Sequence, residues 1–278
     1  MLYSKRNGYI FECFSNISEL YNGIKNRKKR PSAREDSDES GYSFSGTGSL
    51  EEAYDLMIHG DTDLCNRIKD KAKSLDISKI LGNVVKRNST YNSVVGYQVN
   101  VPNYLSGVPT DMIANVPKKT SQKIVNILVN TSVSCGVDTK SIEKAGSYYY
   151  IVIDLLEKAG YRCNVYVLAS YSSTDEGYML VRAKTDKEPF NKEKMAFLLA
   201  HPSFHRRINF KWMECVDCKG EPTRDGYGSP ITDSEKIKSV VDKELKANFI
   251  IWNVQKDYKV KVEDILKNLE KDGIKIGE

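Results

Sequence analysis

Residues 123–173 constrain this chain most, because they read as strand, polar turn, helix and strand in succession. Ile124-Val125-Asn126-Ile127-Leu128-Val129 is apolar and rich in β-branched residues. Asn130-Thr131-Ser132-Val133-Ser134 follows, then a helical segment running through residues 148–158, then Cys163-Asn164-Val165-Tyr166-Val167-Leu168-Ala169. Two such strands joined by a helix make a βαβ unit, with the strands parallel and the helix on one face. The N-x-S-x-S pattern falls at the carboxyl end of the first strand, where open α/β sheets place their ligands. A binding surface is therefore expected on loops 130–139 and 170–176, with Asn130, Ser132, Ser134, Asp138 and Asp175 as its candidate residues. Replacing Ser132 and Ser134 by Ala is expected to weaken partner capture and to leave thermal stability nearly unchanged.

Other segments extend the α/β pattern. Tyr9-Ile10-Phe11-Glu12-Cys13-Phe14 is strand-like, and Ser18 is a candidate cap for a short helix after it. Ser49 precedes Glu52 by three, a capping-box spacing that opens a helix ending near Gly60. A second helix is expected over Thr62–Ser74, and a strand over residues 94–102. Residues 177–183 form a further strand, antiparallel to 163–169 through a short connection. Asn191 caps a helix that ends at His201, because Pro202 disfavours helical geometry there. Residues 210–213 read as a short edge strand and 220–230 as a loop. Ser234–Leu245 reads as a helix, 249–254 as a buried strand and 262–270 as the final helix. The fold expected is α/β, an open and mostly parallel sheet flanked by helices over residues 81–278. A small helical appendage covers 1–80 and includes a mobile loop at 25–43, where a basic run meets an acidic, Ser-rich run without apolar periodicity.

Composition narrows the classes. The 278 residues are 40% hydrophobic and 28% charged, enough for a packed core and too apolar for wholesale disorder. A formal charge of +5 is too mild to argue for nucleic acid by itself. No apolar run approaches the ~20 residues of a membrane span, and residues 1–8 lack the features of a signal peptide. Six cysteines with no export signal are expected as reduced thiols in a cytoplasmic setting. The 17 tyrosines read as half-buried rings with wet hydroxyls.

Two further constellations are candidates. His201 and His205, followed by Cys215-x2-Cys218, have the donor types of a tetrahedral zinc clip, and the alternative is two histidines and two reduced thiols. Arg206 and Arg207, with Arg182, Lys184, Lys211 and nearby aromatics, have the composition of a basic patch for single-stranded nucleic acid, to which the run of residues 25–30 can add. Phe and Trp at these spacings are also ordinary core residues. P-loop, Rossmann and H-E-x-x-H motifs are missing from the sequence, so the chain is not read as an enzyme.

The turn at Asn130, Ser132 and Ser134 resembles the D-x-S-x-S motif of von Willebrand factor A-type domains, which binds a divalent metal such as Mg²⁺. Asn130 stands where that motif has Asp, and an amide supplies only a neutral oxygen to a hard cation. The other reading of Asn130, Thr131 and Ser132 is that they satisfy backbone groups at a strand-to-helix turn. Longer phrases look like a family of uncharacterised proteins of tailed phages and prophages. They include Phe44-Ser45-Gly46-Thr47, the run Val95-Gly96-Tyr97-Gln98-Val99-Asn100-Val101-Pro102-Asn103-Tyr104-Leu105-Ser106-Gly107-Val108-Pro109, and Leu199-Ala200-His201-Pro202-Ser203-Phe204-His205-Arg206-Arg207. That resemblance implies a phage accessory protein in the cytoplasm of an infected bacterium. Its expected partner is a host or phage protein; nucleic acid is the alternative, a virion structural role is a third, and no membrane is involved.

Overall fold

The computed structural model describes residues 1–6, 8–31, 33, 36–75, 90–115, 123–216, 229–257, 259, 261–271 and 274. Its strands are β1 (Leu2–Arg6), β2 (Tyr9–Phe14), β3 (Thr90–Ser93), β4 (Gln98–Val99), β5 (Met112–Asn115), β6 (Ile124–Asn130), β7 (Arg162–Ser172), β8 (Glu176–Lys184) and β9 (Ile250–Asn253). Its helices are α1 (Ile17–Lys25), α2 (Asp36–Glu39), α3 (Tyr42–Ser45), α4 (Leu50–His59), α5 (Thr62–Ser74), α6 (Val101–Leu105) and α7 (Thr139–Lys158). They continue with α8 (Lys192–Ala200), α9 (Phe210–Cys215), α10 (Ser234–Leu245), α11 (Val254–Asp257) and α12 (Val262–Lys271).

The βαβ unit forms as the pattern demands. β6 pairs parallel with β7 through α7, and parallel with β9 on its other side. β7 turns back into β8 antiparallel. The six strands run β1-β2-β8-β7-β6-β9, so the fold is α/β with a mostly parallel sheet flanked by helices. Side chains alternate between faces along each strand. Ile127 and Val129 of β6 enter one core with α4, α5, α7, α8 and α12, while Leu128 enters a second core under Ile237 and Val241 of α10. Asp138 caps α7 by accepting the Ser141 amide at 2.9 Å. The helix is buried along most of residues 145–156 and crosses α8 at backbone contact. A Cβ on Gly146 would lie 2.1 Å from the Leu199 carbonyl oxygen.

Among the described residues, the segment before residue 76 joins the main sheet and core rather than standing apart as an appendage. β2 lies inside the main sheet, parallel to β8, and its Ile10 and Phe14 enter the first core while Phe11 and Cys13 enter the second. A strand apolar on both faces must be covered on both, and local periodicity does not reveal which sheet will cover it. Helices α1, α4 and α5 share the first core with α7. The expected loop at 25–43 contains α2 and the start of α3 among its described residues, and Ser37 is buried with its amide donating to Glu214 at 2.9 Å. Among the described residues no helix is long and apolar enough to cross a membrane.

A second, three-stranded sheet has the order β3-β5-β4. The single strand expected over 94–102 is not formed. Gly96 sits against the backbone of Ile113, where a Cβ would lie 2.2 Å from the carbonyl oxygen, and Tyr97 donates its amide to that oxygen at 3.0 Å. Asn100 then caps α6, with Pro102 in its first turn.

Candidate functional site

The polar turn after β6 is interior. Asn130 and Ser132 are fully buried. Asn130 Nδ2 donates to the Ile231 carbonyl at 2.8 Å, and its Oδ1 accepts the Ser132 amide at 3.2 Å and the Ser170 hydroxyl at 3.3 Å. Ser132 Oγ accepts the Ser170 amide at 2.5 Å, and Thr131 Oγ1 donates to Leu168 at 3.1 Å. The Ser134 amide donates to Gln255 Oε1 at 2.7 Å. Asn253 Nδ2 reaches the carbonyls of Ile231 and Thr232 at 3.4 and 3.3 Å. These bonds stitch β6, β7, residues 231–232 and the start of α11 together.

The expected solvent-facing crown is therefore corrected. Backbone groups leaving a buried parallel strand need partners, and short polar side chains supply them. Ser134 is half-buried. Asp138 is exposed but engaged: its two oxygens accept the Ser141 amide and hydroxyl, which holds its carboxyl below the usual range. Asp175 is buried in the β7–β8 turn, where its carbonyl accepts the Ser173 amide at 3.2 Å. A hard cation such as Mg²⁺ does not fit this set. The Asn130 and Ser132 oxygens already accept N–H and O–H groups, and neither is anionic.

The segment after α8 is a clamp. His201 is extended, as Pro202 requires, but the chain re-enters a helix at once, through a π-helical turn over Phe204–Asn209 and then α9. The edge strand expected at 210–213 is thus helical, and its Trp212 donates to buried Glu12 at 2.5 Å. The π turn buries His205, Arg206 and Arg207 together. Arg207 directs five N–H donors at Thr47 Oγ1 and at the carbonyls of Ser37, Asp38, Ser40 and Thr47, at 2.7–3.0 Å. Arg206 donates to the Phe44 carbonyl at 2.7 Å, to the Ser134 carbonyl at 3.3 Å and to that of Val137, and lies 4.0 Å over the Phe44 ring. Burial brings its guanidinium down to about 10.

The basic patch is corrected on the same grounds, since guanidinium groups turned inward onto interior carbonyls are not presented to phosphate. The basic run is similarly engaged: Arg27 pairs with buried Glu12 at 2.5 Å, and Arg30 donates to Met213 at 3.2 Å.

Among the described residues the zinc constellation is not assembled either. His205 Nε2 faces the Val133 carbonyl at 3.1 Å and its Nδ1 faces Asn209 at 3.2 Å. Burial pushes its pKa down to about 3. His201 Nδ1 accepts the Ser203 amide at 3.1 Å, while the ring stacks on Phe197. Cys215 donates to the Arg27 carbonyl at 3.5 Å, and Cys218 lies outside the described residues. Among the described residues no three His, Cys, Asp or Glu side chains converge.

What remains open is the small sheet and its connections. Tyr91, Val94, Val95, Tyr97, Val99, Val101, Tyr104, Leu105 and Val108 are all exposed, Leu105 at 78% and Val95 at 76%. Val95, Tyr97, Val99 and Val101 alternate as in a half-buried strand, so periodicity gives no sign of their exposure. Charge does: residues 90–110 contain no Lys, Arg, Asp or Glu, in a chain that is 28% charged.

The family model described as Domain of unknown function (DUF7192) matches residues 5–274. No curated protein and no solved structure matches the chain.

Proposed function

From the premise that this chain belongs to the family described as a domain of unknown function (DUF7192), we propose that it is a protein-interaction module. An α/β body carries the segment 90–115 as its docking arm. The carrying observation is that nine large apolar side chains are exposed within one sequence window that is free of charge up to residue 110. Contiguous exposed apolar surface marks association sites, and interface cores are poor in charge and rich in tyrosine. The loops at the end of β6 are not the surface, because Asn130 and Ser132 are spent on internal hydrogen bonds.

The body is read as a degenerate von Willebrand A-like domain. Supporting this, the N-x-S-x-S turn leaves the carboxyl end of a parallel strand and enters the helix of a βαβ unit. In this chain the motif serves as a stitch. The phrase at 95–109 that resembles tailed-phage proteins is the arm, which favours a phage accessory role inside an infected bacterium, with a host or phage protein as partner. The nucleic-acid reading has no such support, since Arg206 and Arg207 face inward.

A photo-crosslinking residue in place of Val95 or Leu105 tests this in the cells that make the protein, with position Lys140 on the exposed end of α7 as control. Protein adducts from the arm positions alone are expected. Their absence, or the same adducts from position 140, overturns the reading.

A further inference from the structure

We propose that the cleft between α5, α7 and the start of α8 binds a small amphipathic anion, a carboxylate with a short apolar chain. The cleft shares no residue with segment 90–115, so it is a second site with a different ligand.

The floor sets the apolar half of that ligand. Tyr150, Ile151 and Leu155 of α7 line it with Ala72 of α5. The three α7 residues are buried and Ala72 is half-buried. The Tyr150 hydroxyl lies 3.7 Å from Cys65 Sγ, and its ring packs edge-on to Phe190. Ala72 contributes only a methyl group, and a hollow of about 400 Å³ remains. That volume lies within the roughly 300–1,000 Å³ of small-molecule sites. A peptide helix about 10 Å across would fill it in about one turn, too little to be gripped.

The rim sets the charged half. Lys69 and Lys73 of α5, Lys158 of α7 and Lys192 at the start of α8 line the same cleft. Asp154 is the one carboxylate among the lining residues, and Lys158 already pairs with it at 2.5 Å. Lys73 holds Asp70 at 2.9 Å in an exposed pair, which is a weak contact. Among the described residues Lys192 has no ion-pair partner. Four ammonium groups therefore stand over an apolar floor against a single carboxylate. Acetate or inorganic phosphate would leave that floor in water. A neutral hydrocarbon would leave the cations unmatched, and a cationic amphiphile would meet like charge. An anion carrying a short chain satisfies both halves.

Isothermal titration calorimetry of the full chain with monomeric decanoate tests the assignment, with acetate and decyltrimethylammonium as probes of each half alone. Decanoate is expected to bind saturably at a single site, less tightly as salt is added, and the other two are expected not to saturate. Lys73→Glu/Lys192→Glu reverses the rim at two exposed positions, and Ala72→Leu fills the floor. Each variant is expected to weaken decanoate binding by roughly tenfold or more. The absence of saturable decanoate binding, equal binding of either other probe, or binding that either variant leaves unchanged overturns the proposal. If phosphatidylglycerol vesicles bind the chain and monomeric decanoate does not, the lysines serve a membrane surface and the small-ligand site falls.

Discussion

Arg207 holds Thr47 at two points, its Nε donating to Thr47 Oγ1 at 2.7 Å and its Nη2 to the Thr47 carbonyl at 2.7 Å. The remaining donors take the carbonyls of Ser37, Asp38 and Ser40. One side chain thereby fixes α2, α3 and the start of α4 against the core. Ser203 reinforces it, since its hydroxyl lies 2.8 Å from that of Thr47 and 2.6 Å from the Ser45 carbonyl.

Arg207→Lys keeps the charge and loses the fork. An ammonium has three donors and cannot span five separated acceptors. Stability should fall by about 3 kcal/mol, the scale of losing charged hydrogen bonds and leaving buried carbonyls unpaired. Thr47→Val should cost less, about 1 kcal/mol. Chemical denaturation of both variants checks the order.

Ser132→Ala removes the acceptor of the buried Ser170 amide. An orphaned buried donor costs about 1–3 kcal/mol, so the melting temperature should drop by several degrees. Ser134→Ala should change stability by less than about 0.5 kcal/mol, because the bond from Ser134 to Gln255 uses the backbone amide. Calorimetry on the two variants separates them, and near-equal melting temperatures would contradict the stitch.

His205 makes stability sensitive to acid. Its folded pKa is pushed down from 6.5 to about 3, by burial first and by the Arg206 charge second. The unfolded chain therefore binds a proton that the folded chain refuses. The contribution of neutral His205 is fully present above the unfolded value and is lost as pH falls through the window from 6.5 towards 3. The slope is up to about 1.4 kcal/mol per pH unit. His201 is shifted down as well, by burial, and acts in the same direction. His205→Gln, which retains a donor for the Val133 carbonyl, should flatten the stability profile between pH 6 and 4 relative to the parent. An unchanged slope would mean that His205 titrates normally.

Gly146→Ala should destabilise despite the better helix propensity of alanine. The new methyl would meet the Leu199 carbonyl oxygen and the Ala200 Cα at the crossing of α7 and α8. Overpacking of this kind costs about 1–3 kcal/mol, more than the ~1 kcal/mol that propensity returns. A melting temperature at or above the parent value would show that the helices separate freely.

The sequence by itself determined the local elements. Alternation and β-branched runs located β2, β6 and β7, and Ser49 and Asn191 announced the starts of α4 and α8 through chemistry confined to a few residues. The stop at His201 was legible for the same reason, because proline acts on its neighbour. The direction in which polar groups point was not legible. N-x-S-x-S suits an exposed ligand site and a buried stitch equally, and the choice fell to Ser170 and Ile231, which lie 38 to 101 positions away. Arg206 and Arg207 look like a basic patch until the π turn and the 37–47 segment enclose them. Only the tertiary structure decided burial, because the cost or benefit of a polar side chain depends on partners that folding brings from elsewhere in the chain.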